Sequence, residues 1–335
     1  MKKYLVIGGF FLTILAFKNG TGDNYTPAEV DVAINKSIPL LQSSSHTFLK
    51  NAVTCHSCHG QGLGGIAFAL AKENGFAVND AITYEALDSI CKTWKSRIPL
   101  LVENEDPVAI IMTGIYDLWA LSANHYEKNK TLELLAQNIM RRQKNDGSWV
   151  SPNFRPPLEY YAFTATALTV KNIQTYIPQV LNSEVEQRIA KASHWLLNNK
   201  PEANEEKVFQ LLGLTWSKSD NHVIELQAKK LLAAQHENGG WSQLDSLETD
   251  AYATGQSLYA LNQSGQLPVT APEYRKGIAF LLRTQLEDGS WHVKSRSYPF
   301  IRFVDSGFPH DDDQFISAAG SNWATMALVL GANKK

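Results

Sequence analysis

The segment Gln143-Lys144-Asn145-Asp146-Gly147-Ser148-Trp149 occurs three times in this chain with its two end residues unchanged. It returns as Gln235-His236-Glu237-Asn238-Gly239-Gly240-Trp241 and as Gln285-Leu286-Glu287-Asp288-Gly289-Ser290-Trp291, so successive tryptophans stand 92 and 50 residues apart. Repeats at such periods mark arrays built from one supersecondary unit. Each copy follows an amphipathic helical pattern, over 132–142, 224–234 and 274–284, and precedes a second, over 160–171, 251–263 and 316–331. The Asp-Gly or Asn-Gly inside each copy supplies the φ > 0 residue that ends the first helix. The unit is a helical hairpin.

Weaker copies occupy the remaining chain. Residues 30–50 with 63–75, 84–101 with 107–123, and 189–199 with 205–216 read as three more hairpins, the last turning at Lys200-Pro201. Six hairpins predict an all-α fold, an (α/α)6 toroid over residues 25–332 with alternate helices in an inner and an outer ring. Closure lets the last hairpin cover the first, so neither end needs a polar cap. The connections at 151–157 and 297–309 are rich in Pro, and the second is long enough to wall a cavity.

The first hairpin's loop carries Cys55-His56-Ser57-Cys58-His59. This is the C-x-x-C-H spacing that attaches c-type haem, with Cys55 and Cys58 reaching the two vinyl groups and His59 set beneath the iron. A bare Cys55–Cys58 disulfide or a zinc site using His56 or His59 are the competing readings. Residues 25–125 could alternatively form a separate cytochrome c domain with Met112 as second axial ligand. The helical period through 108–112 favours a core position for Met112 and leaves the sixth iron position open or filled by an unidentified side chain. Cys91, beside Ile90 and Trp94, reads as a small core residue.

Residues 1–20 have the layout of a secretory signal, Met1-Lys2-Lys3 followed by an apolar run from Tyr4 to Phe17. The run is short for a membrane span, and no clean cleavage site follows, so a retained anchor is the alternative. Export to a bacterial periplasm would suit covalent haem attachment. Hydrophobic residues make up 44% of the chain, enough for a full core, and a net charge of −2 gives no reason to invoke nucleic acid or an anionic membrane surface.

The three boxes resemble the QW motif of the terpenoid cyclase and protein prenyltransferase superfamily, as in squalene–hopene cyclase. The resemblance covers about 130–171 and 222–331 well and the N-terminal half weakly. It implies that Gln143, Trp149, Gln235, Trp241, Gln285 and Trp291 are structural, the Gln capping a neighbouring helix. It also implies a cavity at the N-terminal ends of the inner helices, where Glu159, Tyr160, Tyr161, Glu205, Asp250, Tyr252 and the run His310-Asp311-Asp312-Asp313-Gln314 would fall. Squalene–hopene cyclases protonate substrate through Asp-x-Asp-Asp. Here His310 replaces the first Asp, with Asp311, Asp312 and Asp313 as the candidate acids and His310 as a proton relay; a solvated loop at a helix N-terminus is the competing reading. Protein prenyltransferases bind zinc through Asp, Cys and His, and no Cys follows Cys91.

Three functions stay open on these readings. The first is an exported haem c protein passing electrons to a redox partner or oxidising an apolar ligand in the toroid. The second is a small terpenoid-cyclase-like enzyme protonating its substrate from the acidic run. The third is a non-catalytic binding scaffold.

Overall fold

The computed structural model describes residues 24–52, 56–105, 110–151, 155–297 and 304–332. The helices are α1 (Pro27–Ala52), α2 (Leu63–Glu73), α3 (Asp80–Ser96), α4 (Ile98–Val102), α5 (Ile110–Ala123), α6 (Lys130–Arg141), α7 (Ala162–Tyr176), α8 (Asn182–Asn198), α9 (Asn204–Trp216), α10 (Asn221–Leu232), α11 (Ala251–Gln263), α12 (Pro272–Thr284) and α13 (Gln314–Ala332). Two-residue strands β1 (Trp241–Ser242) and β2 (Thr249–Asp250) pair antiparallel between α10 and α11.

Packing closes a ring. α2 lies against α5, α5 against α7, α7 against α9, α9 against α11, α11 against α13, and α13 returns to α2. These six form the inner barrel, and α1, α3, α6, α8, α10 and α12 form the outer layer. The fold is the all-α toroid that the hairpin pattern predicts, and residues 27–123 supply two of its six hairpins rather than a unit outside the ring. Met112 is buried in α5 as a core side chain. α13 is mostly buried and largely apolar because α1, α2, α11 and α12 surround it.

Sequence chemistry sets the helix ends. Asn79, Asn129, Asp220 and Asp250 cap α3, α6, α10 and α11 with side-chain oxygens that accept from backbone N–H groups of the first turn. The outer helix expected over 84–101 is broken in two. Pro99 has no N–H to donate to the preceding turn, so the chain restarts as α4. Cys91 is half-buried on α3, where it accepts from Asn129 Nδ2, rather than deep in the core.

The three boxes are built alike. Each indole Nε1 caps the C-terminal end of its own outer helix: Trp149 donates to Ile139 O at 2.7 Å, Trp241 to Leu231 O at 2.8 Å and Trp291 to Leu281 O at 2.8 Å. Each Trp backbone N–H donates to a hydroxyl of the following inner helix, on Thr166, Thr254 or Ser321. Each Gln amide bonds its own turn and then reaches sideways, Gln143 to Arg188 O, Gln235 to Glu273 O and Gln285 to Ala33 O. The turn glycines Gly147, Gly239 and Gly289 have φ of 100°, 88° and 91°. A Cβ there would also strike the backbone of the next outer helix, at Lys191, Lys276 or Lys36, so glycine is required on two counts.

Candidate functional site

The inner helices present different chemistry along the lumen. Towards their C-terminal halves, Trp119 of α5, Trp216 of α9, Tyr259 of α11 and Trp323 of α13 fill the centre. Ring centroids lie 5.6 Å apart for Trp119–Trp216, 6.1 Å for Trp119–Tyr259, 6.3 Å for Trp119–Trp323 and 5.5 Å for Tyr259–Trp323. α5 neighbours neither α11 nor α13 in the ring, so these contacts cross the lumen and floor it with π faces. Lys171 of α7 sits over Trp119 and Trp216.

At the N-terminal ends the lumen is polar and titratable. Glu205, the second residue of α9, is 1% exposed. Thr164 Oγ1 donates to its Oε1 at 2.9 Å and Tyr252 OH donates to its Oε2 at 3.0 Å. Burial raises its pKa to about 8, against the smaller opposite pull of Thr164, Tyr252, Gln256 and the more distant Arg296. Glu205 therefore holds its proton at neutral pH. Burial likewise raises Asp250 to about 6, although Ala253 N and Gln243 hydrogen-bond its charged form.

A second buried carboxyl, Glu159, faces the first hairpin. Arg155 clamps it with Nε to Oε2 at 2.7 Å and Nη2 to Oε1 at 2.6 Å. Cys58 Sγ donates to Glu159 Oε1 at 2.6 Å. Burial, then the charge of Glu159, pushes the Cys58 thiol well up, so it stays protonated. Tyr116 OH lies among Cys58, Glu159 and Glu205 and is buried with no hydrogen-bond partner among the described residues.

Residues 56–62 of the cysteine loop form a wired turn. One π-helical turn, Cys58–Gly62, leads into α2. Gln61 accepts from Ser57 N at 2.8 Å and donates to Ser45 O of α1 at 2.7 Å. His56 Nε2 meets Asp117 Oδ2 of α5 at 2.7 Å, and Trp94 Nε1 donates to the same oxygen. Asn322 of α13 donates to His59 O at 3.1 Å. Cys55 lies outside the described residues, as do residues 1–20 with their expected export signal.

The described part of the motif does not fit haem c. Cys58 and His59 are both buried. Cys58 is a free thiol hydrogen-bonded to a carboxylate, and the His59 ring is wedged edge-on between Phe48 and Phe315 at 5.9 and 6.1 Å. Burial drops the His59 pKa to about 3, leaving a neutral ring whose Nδ1 has no partner among the described residues.

The acidic run sits elsewhere. Asp311–Asp313 form a short 3-10 turn ahead of α13, with Asp311 and Asp312 exposed. Asp313 accepts from Ser295 N at 2.8 Å and meets His292 Nε2 at 2.8 Å. His310 stacks on His292 at 4.7 Å and meets Ser290 Oγ at 2.9 Å. Together these contacts tie the third box to the start of α13. The structure brings none of the three carboxyls to Glu205.

Of the residues implied by the QW resemblance, Glu205 and Tyr252 bond each other, while Glu159 pairs with Arg155 and Cys58 and Asp250 with Gln243 and Ala253. Tyr160 is exposed and packs against Tyr161, and Tyr161 is half-buried at the edge. Sequence reading missed Tyr116, Thr164, Gln256 and Arg155. Polar residues at inward positions of otherwise apolar helices were the signal available for the first three.

The α/α toroid fold is shared with solved terpene cyclases. The chain is similar in structure to the type II terpene cyclase MstE from Scytonema, with TM-score 0.57 and 13% identity, over 93% of this chain and 100% of that one. A complex of an MstE variant with geranylgeranyl dihydroxybenzoate aligns with TM-score 0.53 and 13% identity, over 91% of this chain and 99% of that one. A protein from Actinoplanes aligns with TM-score 0.54 and 12% identity over 89% and 100%. No protein-family model and no curated protein matches the sequence.

Proposed function

We propose that this protein is a terpenoid-cyclase-like enzyme that transfers a proton from Glu205 to an apolar, isoprenoid-type substrate in the lumen. The carrying observation is Glu205, buried and held by Thr164 and Tyr252 at the polar end of a lumen floored by Trp119, Trp216, Tyr259 and Trp323. A general acid needs its proton in place at working pH, and burial supplies that condition here. Thr164 and Tyr252 fix the carboxyl's orientation. Proton transfer to the substrate leaves a cationic carbon, and a neighbouring double bond attacks it to form a ring bond. Aromatic faces stabilise the charge as it moves, and loss of a proton at the end restores neutrality. The structural likeness to type II terpene cyclases supports the same reading at the level of fold.

The reading replaces the acidic run with Glu205 as the proton source. It is tested by incubating the full chain with open-chain polyprenyl alcohols and hydrocarbons and analysing products by gas chromatography and mass spectrometry. Glu205→Gln keeps the shape and removes the acid, so turnover should fall about 10²–10⁴-fold with binding retained. Equal turnover in Glu205→Gln, or wild type that returns every probe unchanged, would overturn it.

A further inference from the structure

The segment 155–161 leads into α7 at its N-terminal end, yet its side chains reach other parts of the ring. Glu159 Oε1 accepts from Cys58 Sγ at 2.6 Å, at the start of the turn that leads into α2. The Arg155 guanidinium lies 5.3 Å over the ring of Phe315, the second residue of α13. In the ring order α2, α5, α7, α9, α11, α13, helix α13 stands opposite α7, and α5 separates α7 from α2. Alternate helices of a hairpin array run parallel, so the six inner N-termini surround one mouth of the lumen. A segment joined to α7 there, and touching the starts of both α2 and α13, has to pass over that mouth.

We propose that residues 155–161 form a strap that closes the N-terminal mouth of the lumen and lifts while the rest of the ring stays folded, giving an apolar ligand its way in. The entrance role rests on the lumen ligand proposed above; the lifting does not. The strap is held in a way that suits release. Its internal main-chain hydrogen bond runs from Glu159 N to Arg155 O at 3.0 Å, and among the described residues no main-chain hydrogen bond ties it to α2 or α13. Pro157 and Leu158 are its buried apolar residues. Its hold on the opposite wall is made by side chains, the weakly donating Cys58 thiol on Glu159 and the Arg155 cation on Phe315. Arg155 also grips both carboxylate oxygens of Glu159, so one residue braces both ties. Segments with few backbone bonds to their surroundings open locally, at free energies below that of global unfolding.

Cys58 lies under the strap and reports its lifting. The test labels the folded full chain with iodoacetamide in a Cys55→Ser background, which leaves Cys58 and Cys91 as the thiols, and follows each by peptide mass spectrometry. Wild-type Cys58 should react at a rate nearly independent of urea well below the unfolding midpoint. Arg155→Ala leaves the buried Glu159 without its cation, so Cys58 should react about tenfold or more faster, with the rate at Cys91 on α3 unchanged. If Arg155→Ala does not fold, Glu159→Gln, which keeps the shape and weakens both ties, carries the comparison. A Cys58 rate that follows the full urea dependence of global unfolding, or that neither variant changes, overturns the strap. The entrance role is read by stopped-flow tryptophan fluorescence with farnesol, whose association rate should rise by the same factor as the labelling, since both scale with the open fraction. Faster labelling with an unchanged farnesol rate overturns the entrance. If farnesol binds neither protein, the lumen-ligand reading above fails and the entrance with it, while the labelling still decides whether the strap lifts.

Discussion

The side-chain amide of Gln285 donates a 2.9 Å hydrogen bond to the main-chain carbonyl of Ala33, joining residues 252 positions apart. In the two other boxes the same bond joins an outer helix to the next in sequence, through Gln143 and Arg188 or Gln235 and Glu273. At Gln285 the next outer helix is α1, so a device that serves elsewhere as a local tie here closes the ring. Closure in turn holds α2, and with it Cys58, against the N-terminal end of α13.

Gln285→Leu should therefore lower stability by about 1–3 kcal/mol, because the carbonyls of Ala33 and Gly289 both lose a donor in a half-buried setting. Gln263→Leu, on an exposed position of α11, serves as the control. Urea unfolding followed by circular dichroism measures both, and a Gln285→Leu midpoint equal to the control's would refute the closing role.

Trp241→Ala should cost more, about 3–5 kcal/mol, since it empties a fully buried ring site and orphans Leu231 O at the end of α10. The residue lies in the outer layer, away from the lumen, so ligand affinity of the folded variant should equal wild type. A change in affinity without a change in melting temperature would contradict this placement.

Much of the fold was legible because the boxes are local. Gln, a φ > 0 Gly and Trp at fixed offsets need only their own hairpin and the next to be satisfied, so their spacing carries the architecture. The lumen was less legible. Glu205 follows Asn204 and precedes Glu206 in what reads as an ordinary acidic first turn, and only the ring's curvature decides that Glu205 points inward while Glu206 caps the backbone of Ala203. The reverse holds for His310-Asp311-Asp312-Asp313, a conspicuous charge cluster that the fold spends on a loop. His56 and Gln61 looked incidental to a cysteine motif, yet their partners Asp117 and Ser45 lie 61 and 16 residues away, distances that no local pattern reports.

The turn at Cys58 yields a spectroscopic prediction. With the thiol committed to Glu159 and His59 packed between two phenylalanine rings, protein made in a haem-attaching host should show no Soret band after denaturation and washing. Cys58→Ser should keep the hydrogen bond and the fold. A covalently retained haem, lost in Cys58→Ser, would overturn the reading of this turn as a structural lock.

At the acidic run, Asp312→Asn should stay within about 0.5 kcal/mol of wild type, as exposed substitutions do, and leave binding unchanged. Asp313→Asn weakens the bonds to His292 and Ser295 and should speed proteolysis near residue 297. Loss of ligand binding in Asp312→Asn would restore the run as part of the site.

The burial of Glu205 sets a pH signature. Its pKa is about 8 folded against an ordinary 4.5. Below 4.5 the carboxyl is protonated in both states and its contribution to stability is fully present. Between 4.5 and about 8 the unfolded chain has released the proton that the folded chain keeps, so stability falls as pH rises, by up to about 1.4 kcal/mol per unit from this group. Asp250, raised from 3.8 to about 6, acts with the same sign over a lower window. His59, lowered from 6.5 to about 3, has the opposite sign and costs stability as pH drops below 6.5. From pH 6.5 to 8 Glu205 is the one of these three whose folded and unfolded protonation differ. Glu205→Gln cannot ionise, so its stability relative to wild type should rise steadily across that interval and stay level below pH 4.5. Urea unfolding of both proteins at half-unit steps measures the difference, and parallel curves from pH 6.5 to 8 would mean that Glu205 is ionised in the folded protein and cannot be the resident acid.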